Sequence, residues 1–236
     1  RHPIWKHPGH RSRSMPLASV HSVANVNTAK DHQRKNNGKG PHDPDAKWGA
    51  KGKQKFKDPK GHDVKQVKYF FGYKGHMSMN AESNLIASLE VTSGEAYDGH
   101  HFCSLVDQDL AKHIPAETYA ADRGYDDGNN HFYLQYHHLQ SAICPKDFRM
   151  KKKDTNKEIW LEMIQTPAYK EGRKERYKIE RKFGEAKQGH GLGRCRYIGL
   201  LGFGIQAYFT AIILNLKRIV KLLTGVGLKT RGALRC

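Results

Sequence analysis

The sequence predicts an α/β chain, a mixed sheet flanked by helices, and three observations carry that prediction. Runs rich in β-formers and runs with helical apolar spacing alternate through the second half of the chain. Two of these runs, TYAA at 118–121 and SAIC at 141–144, are short, apolar and bounded by turn residues, as buried strands are. With 236 residues, 37% of them apolar, the chain has the length for one large domain or one domain with appendages and enough apolar content for a core.

The elements follow in order. Residues 1–16 mix His, Pro, Arg and Ser without a period and do not begin with Met, which reads as an irregular, truncated or out-of-frame start. Leu17–Val26 (LASVHSVANV) has the Val and Ala content of a strand. Residues 28–63 are rich in Gly, Lys, Asp and Pro and read as a long basic loop. Three β runs come next, at 66–74 (QVKYFFGYK), 76–80 and 84–93 (NLIASLEVTS), forming a meander. Asp98 sits in the N-cap region of a helix over 100–113, whose Phe102, Leu105, Val106 and Leu110 fall at helical spacing. The strand at 118–121 leads into Asp122-Arg123-Gly124-Tyr125, then a helix over 127–139 and the strand at 141–144. A basic loop at 148–157 precedes helices at 158–165 and 171–188, and a long, mostly buried helix covers 205–223. Residues 225–236 form a basic tail. One topology with this order is the ribonuclease-H-like fold, in which strands one and four lie side by side.

Charge narrows the function. Lys and Arg number 41 against 23 Asp and Glu, a net +18 that points to a polyanionic partner, most simply nucleic acid. The charge is uneven: residues 1–60 carry +10, residues 61–145 carry −6 and residues 146–236 carry +14. Basic ends around an acidic middle fit a carboxylate core that holds metal ions within a phosphate-binding shell; they equally fit an acidic domain with basic tails. The longest apolar run, 200–216, barely reaches spanning length, which argues against a polytopic membrane protein, and no apolar signal-peptide core opens the chain. Cys103, Cys144, Cys195 and Cys236 form no CxxC pair, so a disulfide framework or structural zinc is not expected and a reducing cytoplasm is. The paired histidines His100, His101, His137 and His138 read as surface residues on helices, their rings about 100° apart.

Two places carry chemistry. In 173–187 (RKERYKIERKFGEAK) a helical projection puts Ile179, Phe183 and Ala186 on one stripe, with Arg173, Arg176, Glu180 and Lys187 in a line beside it. Glu180 then sits at the edge of the buried face, aimed at a cleft; the plainer alternative is a solvated helix with i,i+4 pairs such as Arg176–Glu180. Asp122 follows a buried strand and precedes Gly124, the place where α/β sheets position site residues, though a turn Asp before Gly has the same appearance.

The segments DPDAKWG (43–49), FFGYKGH (70–76), LEVTSGEAYDG (89–99), YAADRGYDD (119–127) and YKIERKFGEAK (177–187) together resemble bacterial insertion-sequence transposases of the DDE superfamily, the IS4-like catalytic domain, across residues 17–224. The resemblance implies a ribonuclease-H-like, retroviral-integrase-type fold and metal-dependent cleavage and strand transfer at insertion-sequence ends. It places Asp122 and Glu180 at the second and third catalytic, metal-binding carboxylates, the latter within an Arg-x3-Glu-x6-Lys helix formed by Arg176, Glu180 and Lys187. Arg173 stands where that family often has Tyr. Two Mg²⁺ (or Mn²⁺) ions are expected, since such ions activate the attacking oxygen and stabilise the leaving one. Arg173, Arg176, Lys187 and the run Lys151, Lys152 and Lys153 are expected to bind DNA, with sequence-independent grip also from the lysines of 47–60. Double-stranded DNA, a homodimer on DNA, no membrane, and a bacterial cytoplasmic, nucleoid-associated location follow from the same resemblance.

The first carboxylate is the departure. The first strand, Leu17–Val26, contains no acid, and Leu17 stands about where the family's Asp is expected. Asp31 lies beyond that strand, and Asp43 and Asp45 belong to a separate loop motif; recruitment of Asp45 is one alternative. The expectation is an N-terminally truncated or frameshifted transposase that binds DNA and is depressed or inactive in catalysis. A ribonuclease-H-like nuclease and a non-catalytic, transposon-derived DNA-binding protein are the competing readings.

Overall fold

A computed structural model describes residues 17–26, 42–151 and 156–226. Among the described residues six strands are formed: β1 Leu17–Val26, β2 Lys47–Lys57, β3 Asp63–Asn80, β4 Ile86–Ser93, β5 Thr118–Ala121 and β6 Gln140–Ile143. Six helices follow or separate them: α1 Phe102–Ala111, α2 Gly128–Tyr136, α3 Lys157–Gln165, α4 Pro167–Glu175, α5 Tyr177–His190 and α6 Gly199–Thr224. Strands hydrogen-bond in the order β2-β3-β1-β5-β6, with β4 paired to β3. β1, β5 and β6 run parallel, β2 and β3 antiparallel, so the sheet is mixed, as expected.

The chain divides into two compact units. One comprises the chain through His21, His76–Leu89 and Tyr97–Phe183; the other comprises Ser22–Gly75, Glu90–Ala96 and the chain from Gly184 onward. In the first unit the alternation of β5 and β6 sorts their side chains to two faces. Tyr119, Ala121 and Ile143 face a cluster with Phe102, Leu105 and Val106 of α1, Tyr125, and Leu134 of α2. Ala120 and Ala142 face Trp160 and Met163 of α3 and Tyr169 of α4. A four-residue strand covered on both faces has no exposed side to mark with polar residues, which is why TYAA reads as an unbroken apolar run.

In the second unit the Tyr73 ring stacks on Phe203 with centroids 5.2 Å apart, and its hydroxyl donates to Asp43 at 2.5 Å. Burial, followed by the Asp43 carboxylate, pushes the Tyr73 phenol well above its ordinary value. Helix α6 buries Phe203, Ala207, Ala211 and Leu214. The Gln206 amide donates to the Gly191 and Arg194 carbonyls and its oxygen accepts from the Arg196 backbone. α6 is long and apolar enough to cross a membrane by length and composition, yet one face is committed to these contacts. Gly225, in the left-handed region at φ +70°, ends it.

Four elements differ from the expectation. Residues 47–57 form a strand within the supposed 28–63 loop, because they pair with 63–72 of β3; the lysines conceal a β pattern that depends on the ladder rather than on burial. Residues 66–74 and 76–80 form one strand through Gly75, held by buried residues from Phe70 to Met79. The helix expected at 171–188 is two helices. Thr166 caps α4 by accepting from the Tyr169 backbone at 3.2 Å, with Pro167 opening the first turn, and the break falls at Arg176. The helix expected over 100–113 begins as a 3₁₀ turn at Asp98–His101, and His101, expected on the surface, is part-buried and stacks on His76 at 4.8 Å. Residues 1–16, 27–41 (with Asp31), Lys152, Lys153 and 227–236 (with Cys236) lie outside the described residues.

Candidate active site

Asp122 is the first residue beyond β5 and is part-buried. Its backbone is extended, and its Oδ1 accepts from the Gly124 backbone at 2.8 Å, capping the 3₁₀ turn Arg123–Tyr125. Gly124 shows what surrounds that carboxylate. A Cβ placed there would lie 3.0 Å from Asp122 Oδ1 and 3.3 Å from Asp98 Oδ2. Asp98, expected only as a helix start, therefore presents a second carboxylate beside Asp122. Buried Asn130 ties the two turns together, its Nδ2 donating to the Gly99 and Tyr125 carbonyls, both at 2.9 Å. No sequence signal separated Asp98 from an ordinary cap; only its neighbourhood does.

A cavity of about 430 Å³ opens at this point, lined by Asp122, Arg123, Gly124, Cys144, Tyr169, Arg173 and Arg176 among others. A second cavity of about 680 Å³ shares Arg123, Cys144, Tyr169 and Arg173 with it and adds Lys170 and Lys174. Arg173 reaches the Tyr169 hydroxyl at 3.4 Å and the Cys144 sulfur at 3.7 Å. Its guanidinium is held above its ordinary value, first by Tyr169 and then by Cys144. Arg123 pairs with Asp147 at 2.6 Å. The walls are thus strongly cationic around the Asp122 carboxylate, suited to a phosphodiester.

Glu180 lies one turn into α5, with Ile179 and Phe183 buried beside it, as the helical projection required. Its carboxylate is half exposed and pairs with Arg176 at 3.0 Å. Glu180 meets the Asp122 cavity through Arg176 rather than as a lining residue. Among the described residues no three His, Cys, Asp or Glu side chains converge as a metal-binding group. Lys187 sits two turns beyond Glu180 on the same helix. It is part-buried, and desolvation, followed by the charge of Lys51, holds its ammonium below the ordinary value. Lys151 is exposed after the 3₁₀ turn Asp147–Met150.

The parallel register of β1 and β5 pairs Leu17 with Thr118 and Val20 with Ala121. Leu17, where the first carboxylate was expected, is therefore four pairs short of Asp122's level, about 13 Å along the strand. The next step in that register puts His21 opposite Asp122. The two acids of DPDAKWG have structural work in the second unit. Asp43 is buried on Tyr73, and Asp45 Oδ2 accepts from the Leu200 backbone at 3.0 Å, satisfying an open N–H at the start of α6.

A family model described as the transposase DDE domain matches residues 25–216. The chain belongs to the DDE transposase family. A transposase for insertion sequence element IS1106 from Neisseria meningitidis serogroup B is 31% identical over 148 residues, which is 63% of this chain and 47% of that protein. The chain spans about half the length of that relative. Within the DDE domain, the matched region contains Asp98, Asp122, Arg176, Glu180 and Lys187.

Proposed function

We propose that this chain carries the catalytic domain of a DNA transposase in a ribonuclease-H-like fold, acting on insertion-sequence ends. The observation that carries the reading is Asp122 at the end of β5, beside parallel β1, opening into a cavity whose cationic wall includes Arg176, the ion-pair partner of Glu180. The strand order supports the fold: without β2, it is β4-β3-β1-β5-β6, with β1 beside the fourth of five strands.

The residues present fit hard divalent cations. Asp98 and Asp122 offer carboxylate oxygens on either side of Gly124, and Mg²⁺ or Mn²⁺ takes such donors. Asp122 would hold such an ion with Asp98 as a further oxygen donor, and Glu180, ion-paired to Arg176 in this structure, would join them as a further carboxylate. When bound, two such ions supply Lewis acidity to the attacking and leaving oxygens of an in-line displacement at phosphorus. Arg173 and Arg176 orient the scissile phosphate by charge-assisted hydrogen bonds, while Lys187 and Lys151, together with Lys152 and Lys153, grip the flanking backbone. A homodimer on paired DNA ends and a cytoplasmic, nucleoid-associated location belong to this proposal. The exposed side of α6, with Leu201, Phe209, Ile212 and Leu216, supports a second copy as its cover.

A second reading rests on β1, which has no acidic residue in register with Asp122: a DNA-binding chain with depressed catalysis. The test is cleavage and strand transfer on labelled insertion-sequence-end duplexes with Mg²⁺ or Mn²⁺. Asp122→Ala and Glu180→Ala are expected to lower cleavage at least about 100-fold with duplex binding retained. Wild-type binding without cleavage favours the second reading. Cleavage that survives both substitutions refutes the assignment.

A further inference from the structure

We infer that the β2–β3 hairpin is a DNA-binding arm that enters the major groove of duplex DNA. This rests on the reading of the chain as DNA-binding and assigns a surface to it that the cavity residues do not include. Over residues 51–68 there are seven lysines and two aspartates. Lys55–Lys57 and Asp63–Gln66 are exposed on both faces of the ribbon, so this outer half has no core to serve.

The pairing shows how the charge is displayed. Lys55 pairs with Lys65, Phe56 with Val64 and Lys57 with Asp63. Alternation along β3 places Asp63, Lys65 and Tyr69 on one face, together with Lys55 and Lys57 opposite the first two. Tyr69 is 61% exposed at the root of that face, and its partner strand carries exposed Trp48 nearby. Directly opposed like charges destabilise a ribbon, so Lys55 facing Lys65 is a cost that an anion lying over both removes. Lysines on exposed strands also deter sheet-to-sheet aggregation, but that role does not call for two of them directly opposed, as Lys55 and Lys65 are.

The tip is built to be firm. Asp58 Oδ1 accepts from the Lys60 and His62 backbones at 2.9 and 2.8 Å, and Gly61 takes φ +83° within the turn. These bonds hold the Asp58 carboxyl below its ordinary value and occupy it within the turn. The root is anchored as well: Gly49 passes so close to the Gly94 carbonyl that a Cβ would lie 2.2 Å from it. Between root and tip the register shifts at Ala50/Lys53, a bulge that increases local twist. A two-stranded ribbon fits the roughly 12 Å major groove of B-DNA, whereas the deep, narrow major groove of A-form RNA excludes it.

The test uses the full chain and a labelled 30-base-pair duplex of arbitrary sequence, with affinity read by anisotropy across KCl concentrations. The variant is Lys55→Gln with Lys57→Gln and Lys65→Gln. Its melting temperature is expected to equal or exceed wild type, since the Lys55–Lys65 repulsion is gone. The slope of log affinity against log salt is expected to fall by about 2–3, near 0.9 per lost phosphate contact. Duplex DNA is expected to compete at least about tenfold better than duplex RNA of equal length. An unchanged slope in a folded variant overturns the arm, and equal competition by RNA overturns its place in the groove. If wild type shows no salt-dependent DNA binding, the DNA-binding reading itself fails, an outcome distinct from a variant that matches wild type.

Discussion

Asp126, the second acid of ADRGYDD, gives the sharpest stability prediction. Its carboxylate is fully buried and accepts from the His131 Nε2 at 3.0 Å, the Arg149 Nε at 2.8 Å and the Lys146 backbone at 2.7 Å. The Arg149 guanidinium lies over the Trp160 ring, 4.3 Å from its centre. His131 Nδ1 is in turn 2.9 Å from the Ser141 hydroxyl. Asp126→Asn keeps the shape and one acceptor but leaves the largely buried Arg149 without its counter-charge. Breaking a buried pair from one side costs about 3–5 kcal/mol. At about 2–4 °C per kcal/mol for a chain of this size, the melting temperature should fall by roughly 10 °C. Burial alone would raise the Asp126 carboxyl, but the bonds from His131, Lys146 and Arg149 together hold it below 3.8. A depressed folded value means the stabilisation is present above the unfolded value and is lost as pH falls through the folded one. The gap between wild type and variant, measured by thermal melts, should therefore hold from pH 7 to about 4 and close only below that range. A variant within about 3 °C of wild type at pH 7, or a gap that closes above pH 5, would refute the network's role.

Asp45→Ala should lower stability by about 1 kcal/mol through loss of the α6 cap and leave metal-dependent cleavage unchanged. A collapse of cleavage in a folded Asp45→Ala protein would instead make it a metal ligand. Lys187→Met should raise the melting temperature at pH 7, because desolvation and Lys51 disfavour the charged ammonium. The gain should shrink as pH rises towards 10.5, where the unfolded lysine also loses its proton. The same variant should bind duplex DNA with a salt slope smaller by about 0.9, and a variant that loses stability without losing DNA affinity would show Lys187 to be a structural residue.

What the sequence made legible was the part whose physics is local. TYAA has no polar side because both of its faces are covered, and Ile179 and Phe183 recur at helical spacing because one stripe of α5 is buried. The hairpin was hidden because its strands are stabilised by each other, and lysine on an exposed ladder resembles lysine in a loop. Asp98 was hidden for a different reason. A carboxylate at a helix start looks the same whether it serves the turn or faces another acid, and Gly124, which shows that it does the second, is 26 residues away. The Glu180–Arg176 pair was legible in either reading, as a surface pair or as part of a site. Only the cavity that Arg176 lines connects it to Asp122.

The two units are interleaved along the chain, each assembled from three separated stretches, and α5 passes from one to the other between Phe183 and Gly184. Their assembly order on the ribosome follows. The second unit begins at Ser22 but cannot close until the residues after Gly184 emerge, so the strands at its start must wait through most of synthesis. Such non-local closure is slow and leaves strand edges exposed meanwhile. A lysine-rich hairpin is a segment that can wait in water without finding the wrong sheet.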